Sequence, residues 1–363
     1  FTEPYRDFSI KSERDNFATS IEASKVPDVD CIETKKEITA IVDIAHAAFS
    51  TWRDEDPIKR SGVLVQAAHL MRQRRDELCG VVMKEAGKTW READGDVCES
   101  IDFCEYYARM APQLFEYEKL GEFIGELDQQ FYQPRGVTAV ISPWNFPMSI
   151  CCGMTVAALV TGNTVIVKPA GQTTGIARLI CEMLWEAGAP KDVLHYVAGP
   201  GSIVGSALVR DPRVAVIAFT GSKGVGLDIL GAAGQVPDNQ PFVKKVVCEM
   251  GGKNAIIIDA SADLDEAVLG VRQSAFGYQG QKCSAMSRVY IPSTIWTDIK
   301  EMYLSQVNEL QMGSPECFSN FINSVIDKNA FDSIASYIDY AKDASDAEII
   351  TGGGYDDSEG YYI

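Results

Sequence analysis

From about residue 36 to 118 apolar positions recur at helical spacing among charged ones, as in AIVDIAHAAFSTW and VLVQAAHLMRQRRDELCGVVMKEAG, with no strand-like run between them. The spacing predicts a layer of helices. GEFIGELDQQFYQP, Gly121 to Pro134, then reads as a short hairpin with glycines at its turns, a candidate for pairing with something outside its own domain. From residue 137 the period changes. Short β-branched runs (VTAVIS, TVIVK, VLHYVAG, VAVIAFT) alternate with helical ones (MSICCGMTVAALV, TTGIARLICEMLWEAG, SIVGSALV, GVGLDILGAAG). That is repeated βαβ, which predicts an α/β protein with a parallel sheet covered on both faces and ligands at the carboxyl ends of its strands. A second series follows: VVCEM, NAIIID, a helix from about Leu264 to Phe276, SRVYI, and helices near 294–310 and 324–344. The expected organisation is a first domain made of residues 1–119 and 135–247, a hairpin at 120–134, and a second α/β domain at 248–363.

Composition narrows the function. With 33 basic against 51 acidic residues, a formal charge of −18, the chain repels phosphate backbones and anionic lipid, so neither nucleic acid nor a membrane surface is an expected partner. A hydrophobic fraction of 46% over 363 residues supplies cores for two domains. The stretch from Gly136 to Val167 carries no charge, but Pro143, Asn145, Pro147 and the Gly162-Asn163 pair interrupt it, leaving too short a core to cross a bilayer. The first fifteen residues lack the apolar segment of a signal peptide. Three scattered histidines (His46, His69, His195) and the absence of CxxC give no metal site. The ten cysteines lie mostly in apolar or helical stretches, as expected of reduced thiols in an intracellular protein.

Several short segments carry candidate chemistry. In AFTGSKGVG a buried strand runs into Gly221, Gly224 and Gly226 and then a helix, where free N–H groups and close backbone approach suit a pyrophosphate. The GxxGxG spacing is not the usual dinucleotide fingerprint, so an ordinary strand-to-helix turn is an equal reading. GPGSIVG, with Gly201 and Gly205, adds a second glycine turn at that edge. AGKT at Ala86–Thr89 resembles half a P-loop, but Val82 stands where the leading glycine belongs, which excludes a nucleotide triphosphatase. Lys168 ends TVIVK, where an ammonium can reach a ribose or phosphate; a solvated strand end is the simpler reading. The following PAGQT, with Gly171, has no acid to exclude a 2′-phosphate. Cys283 in YQGQKCSAMSR has polar flanks and an adjacent Lys282 that suit a reactive thiolate, whereas the other nine cysteines read as small buried hydrophobes. Glu249 follows an apolar strand and precedes two glycines, as either an ion-pair partner or a base for water. SPWNFP, Ser142–Pro147, is a rigid two-proline loop that aims the Asn145 amide at a developing oxyanion, or else a turn with an aromatic plug.

Together SPWNFP, TVIVKPA, FTGSKGVG, EMGGK and GQKCSA stand in the order and spacing of the aldehyde dehydrogenase superfamily, which residues 40–363 resemble. Within it, EAGKTWREADGDVCESIDFCEYYARM and SAFGYQGQKCSAMSR resemble the 1-pyrroline-5-carboxylate (L-glutamate γ-semialdehyde) dehydrogenases, free-standing or within bifunctional proline-utilisation enzymes. The resemblance implies a Rossmann-like cofactor domain with a helical layer, an oligomerisation hairpin and a catalytic domain. It implies Cys283 as nucleophile, Asn145 and the Cys283 N–H as oxyanion donors, and Glu249 as the base for water. NAD is the implied coenzyme, NADP still binding, held by Ile141, Ser142, Pro143, Trp144, Lys168, Gly171, Gly201, Gly205, Thr220, Gly221, Ser222, Val225 and Gly226. Phe146 would pack on the substrate chain and Ser284 would bind its carboxylate. A homodimer or higher homo-oligomer in the cytoplasm, or in the mitochondrial matrix of a eukaryote, is further implied. The family's later FGP motif is absent and the 24–31 stretch is compressed, so the expectation is most of such an enzyme with an incomplete catalytic domain and poor turnover. The rival readings are an aldehyde dehydrogenase of another substrate, a member that passes its acyl group to coenzyme A or phosphate, and a silent member of the family.

Overall fold

The computed structural model describes residues 2–363, in two compact units. The first runs to Glu85 and resumes at Asp94–Met250; the second joins Ala86–Ala93 to Gly251–Ile363. In the first unit, helices α2 (Lys35–Arg53), α3 (Pro57–Gln73) and α4 (Arg75–Ala86), with most of α5 (Trp90–Leu114), form the helical layer that the periodicity predicts, and α1 (Lys11–Ala23) precedes it. The hairpin is smaller and earlier than expected: β1 (Glu118–Lys119) pairs antiparallel with β2 (Gln129–Gln130), leaving a long tip. Leu120, Phe123, Ile124 and Leu127 on that tip are exposed.

The sheet of the first unit has five strands, β3 (Val137–Ile141), β4 (Thr164–Lys168), β5 (Leu194–Tyr196), β6 (Val214–Thr220) and β7 (Lys245–Glu249), in the order β5-β4-β3-β6-β7. All four pairings are parallel. Parallel neighbours need crossovers, and these are α6 (Ser149–Val160), α7 (Thr174–Glu186), a turn at Gly201–Gly205 leading into α8 (Ser206–Arg210), and α9 (Lys223–Ala233). The chain winds outward from β3 to β4 and β5 with α6 and α7 on one face. It then returns to lay β6 and β7 on the other side of β3, with α8 and α9 on the opposite face. There Ile38 and Val42 of α2 share one core with Ala139, Ile166, Ile217, Leu208 and Ile229. The strand order reverses between β3 and β6, the place where open α/β sheets bind ligands.

The expected boundary at 247 fails in a specific way. VVCEM was expected to open the second domain, but β7 completes the first unit's sheet, which places Glu249 there; residues 86–93, expected in the first domain, belong to the second unit. The second unit holds β8 (Asn254–Ile257) parallel to β9 (Met286–Tyr290), with α10 (Leu264–Phe276), α11 (Trp296–Asn308) and α12 (Lys328–Asp343). Its small core gathers Ile258, Val268, Val271 and Ile299. No helix among the described residues is long and apolar enough to cross a membrane.

Two buried cations organise the first unit. Arg60, 1% exposed, donates from Nε to Val160 O at 2.9 Å and from one terminal nitrogen to the carbonyls of Trp52, Arg53 and Glu55, its guanidinium lying 4.9 Å from the Phe115 ring centre. It thereby satisfies the orphan carbonyls at the ends of both α2 and α6. Lys244 donates to Asp211 O and Val214 O, and burial pushes its ammonium down to about 8.

Arg60→Met should cost about 3 kcal/mol in urea unfolding, since several carbonyls lose a charged donor at once, and Arg60→Lys should recover less than half because one point charge cannot span both helix ends. A loss below about 1 kcal/mol would mean that water replaces the guanidinium.

For Lys244 the folded chain binds fewer protons than the unfolded chain between about 8 and the ordinary lysine value of 10.5, so its contribution to stability rises with pH across that window. Tm measured against pH should lose that increment in Lys244→Met. Parallel curves for parent and variant would remove the assignment.

Candidate active site

In the first unit the expected residues gather at the carboxyl edge of the sheet. β3 ends at Ile141, opposite Lys168 of β4 and Phe219 of β6, and Ser142 N donates to Lys168 O at 3.1 Å, which starts the SPWNFP loop at the strand-order reversal. On the other side of the reversal Thr220 pairs with Glu249, and Gly221 N donates to Glu249 O at 3.1 Å. Ser222 caps α9, its side chain accepting from Val225 N. A Cβ at Gly221 would lie 2.7 Å from the Phe219 ring, and one at Gly226 would lie 2.6 Å from Met250 Sδ. A side chain at either position would press on the Phe219 ring or on Met250, which favours glycine in this turn. Gly205 packs beside the Lys168 stem, whereas Gly171 and Gly201 stand in open space.

Three helices direct N-termini to this edge, and they differ in what meets them. Asp96 Oδ1 accepts from Ser149 N of α6 at 2.9 Å. Glu85 accepts from Gly175 N and Ile176 N of α7, each at 2.8 Å; burial raises its pKa and the two donors oppose the rise. Carboxylates thus already meet two helix dipoles, whereas α9 carries only the Ser222 hydroxyl on an exposed turn. The α9 turn is the place where a phosphate anion fits best.

Lys168 departs from the simpler expectation of a solvated strand end. It is 6% exposed, its Nζ donates to Pro169 O at 2.9 Å, and burial lowers its pKa. The Asn145 amide oxygen accepts from Phe146 N at 3.1 Å, which turns the NH2 end away from its own backbone. Trp144, Asn145 and Phe146 are half-buried, and Glu249 is exposed.

In the second unit Cys283 follows a turn of reversed hand. Tyr278, Gln279 and Gly280 have φ of 53°, 55° and 69°. For each non-glycine this costs about 1–2 kcal/mol, so the turn must be held from outside. Tyr278 is fully buried, its hydroxyl donates to Ala86 O at 2.7 Å, and the Lys88 ammonium lies 5.0 Å from its ring centre. Beyond the thiol, Asn254 Nδ2 donates to Cys283 O at 2.8 Å and to Ala285 O at 3.1 Å. Cys283 is half-buried and Ser284 exposed.

Two expectations need correction. Lys282 is not a lone ammonium beside the thiol, for its Nζ is 2.7 Å from Glu92 Oε1. The nine other cysteines are not uniformly buried either. Burial pushes the Cys151 thiol up to about 11 and that of Cys98 to about 12, but Cys31 and Cys317 are exposed. The periodicity also missed Asp96, Glu85, Glu92 and Asn254. All four bond to residues distant in sequence, and only an acid on the inward face of the helical layer gave any sign of the first two.

Residues 18–363 match the aldehyde dehydrogenase family. The 1-pyrroline-5-carboxylate dehydrogenase of Anoxybacillus flavithermus is 44% identical over 88% of this chain, and that of Geobacillus thermodenitrificans is 39% identical over 99% of it. The chain spans 62% of the length of the first relative and 76% of the second. Among solved structures, a 1-pyrroline-5-carboxylate dehydrogenase from Thermus with bound NAD superposes with a TM-score of 0.94 at 35% identity, covering all of this chain and 76% of that one. Proline utilization A from Bdellovibrio bacteriovorus gives 0.91 at 36% identity, covering 98% of this chain and 41% of that one. This chain belongs to the aldehyde dehydrogenase family.

Proposed function

We propose that this chain supplies the coenzyme cradle and the nucleophile of an NAD(P)-dependent dehydrogenase that oxidises L-glutamate γ-semialdehyde, the open form of 1-pyrroline-5-carboxylate, to L-glutamate. The observation that carries this reading is the pair of loops after β3 and β6, which flank the strand-order reversal beside a buried lysine. The names of the relatives support the choice of aldehyde.

The dinucleotide pyrophosphate would lie on Thr220, Gly221, Ser222, Val225 and Gly226, with Ile141, Ser142, Pro143 and Trp144 along the opposite loop. Lys168, Gly171, Gly201 and Gly205 would border the adenosine end. When bound, NAD accepts the hydride. Cys283 Sγ attacks the aldehyde carbon, the C–S bond forms, and the Asn145 amide with the Cys283 N–H donates to the resulting oxyanion. After hydride loss a thioester remains on Cys283. Glu249 takes a proton from water, the water oxygen attacks the thioester, and the C–S bond breaks to release the acid. A hydrolytic base at this position favours water over coenzyme A as acceptor. Phe146 would pack on the carbon chain and Ser284 would donate to the substrate carboxylate. The apolar tip at 120–127 would pair with a second copy, and the ten unpaired thiols suit a reducing compartment such as the cytoplasm or a mitochondrial matrix.

In the full-length protein Cys283→Ala should abolish both NADH formation and acyl-enzyme, whereas Glu249→Gln should give one burst of NADH and then stall. Steady turnover by Cys283→Ala would sink the assignment.

A Cβ at Gly171 meets open space, so Gly171→Glu should fold normally. It should weaken NADP about tenfold more than NAD by repelling the 2′-phosphate, a difference of about 1.4 kcal/mol. Lys168→Met removes an ammonium that burial disfavours, so Tm should hold or rise while dinucleotide affinity falls about tenfold, about 1.4 kcal/mol. An unchanged coenzyme ratio in the first variant, or undiminished affinity in the second, would remove that residue from the cradle.

A further inference from the structure

The reading of Cys283 as a nucleophile leaves open what aims its backbone. An oxyanion donor works only if its N–H points to where the charge develops, and the direction of the Cys283 N–H is set by the peptide joining it to Lys282. Upstream of that peptide is the reversed turn at Tyr278, Gln279 and Gly280, which neither α10 nor β9 prescribes. Residues 323–326 hold it at two points. Gln279 Nε2 donates to Asn323 Oδ1 at 3.0 Å and to Ser324 O at 2.9 Å, and Ile326 N donates to Gln281 Oε1 at 2.9 Å. Asn323 is 1% exposed, and its Nδ2 donates to Gly87 O, which joins this hold to the segment that also receives the Tyr278 hydroxyl and pairs Glu92 with Lys282. Asn254 fixes the Cys283 carbonyl on the far side.

We infer that Asn323, acting through Gln279, is a positioning residue that aims the Cys283 N–H at the oxyanion. This rests on the nucleophile reading and adds to it a residue forty positions downstream whose side chain bonds the turn rather than the thiol.

The test separates thiol reactivity from oxyanion geometry. Iodoacetamide alkylation requires only an accessible thiolate. With p-nitrophenyl acetate the thiolate attacks the ester carbonyl, a C–S bond forms through an oxyanion, the C–O bond breaks and nitrophenolate leaves. Both reactions are followed at Cys283 by peptide mass mapping in the whole chain. In Asn323→Ala acylation should fall about tenfold while alkylation stays within about threefold, since about 1.4 kcal/mol is lost only where the oxyanion forms. Gln279→Met, of similar size and without the donor, should show the same split even if Asn323→Ala folds poorly. Acylation and alkylation falling together, or neither changing in Gln279→Met, would overturn the positioning role. No acylation of Cys283 in the parent would instead remove the nucleophile reading, and the positioning role with it.

Discussion

Parallel pairing is the constraint from which the rest of the first unit follows. Parallel strands must all end on one edge, so every crossover helix begins there and brings its unsatisfied N–H groups with it. β3 lies between β4 and β6 with Val137, Thr138, Ala139 and Val140 buried, and the winding reverses beside it. At that reversal SPWNFP and GSKGVG follow adjacent strands whose crossovers lead to opposite sides, the position where open α/β sheets bind ligands. The sheet order puts the glycine turn at this reversal, whatever its local motif.

Charges of both signs are buried in a chain whose net charge is −18. Arg60 meets helix C-termini, Asp96 and Glu85 meet helix N-termini, and Lys168 and Lys244 donate to carbonyls. Each of these charges is matched to a backbone dipole or carbonyl, as burial demands. Lys168 is the one that borders the proposed coenzyme edge, where an anionic ligand would offset a desolvation that the folded chain otherwise bears.

The surroundings of Cys283 obey a different logic. A reversed turn of two non-glycine residues has no local reason to persist, and it does so because a buried tyrosine, a glutamine and an asparagine are bonded to segments distant in sequence. Such over-determination keeps the segment before Cys283 in a geometry that an ordinary loop would relax away from.

Much was legible from the residues alone. The change of period at residue 137 marked the alternation of strands and helices, because inward-facing positions must be apolar at a spacing that each element imposes. Leu264 to Phe276 reads as a helix and is one. The positions of the motifs along the chain, and with them the family, were legible for the same reason: turn chemistry is local. What required tertiary structure was partnership. VVCEM looks the same whether it closes one sheet or opens another, and only its register against Val216–Thr220 assigns Glu249 to the first unit. Lys282 looks like an activating ammonium until Glu92 is found beside it. The hold of Asn323 on Gln279 has no periodic signature, because a single side-chain hydrogen bond between distant segments depends on where the folded chain has already carried them.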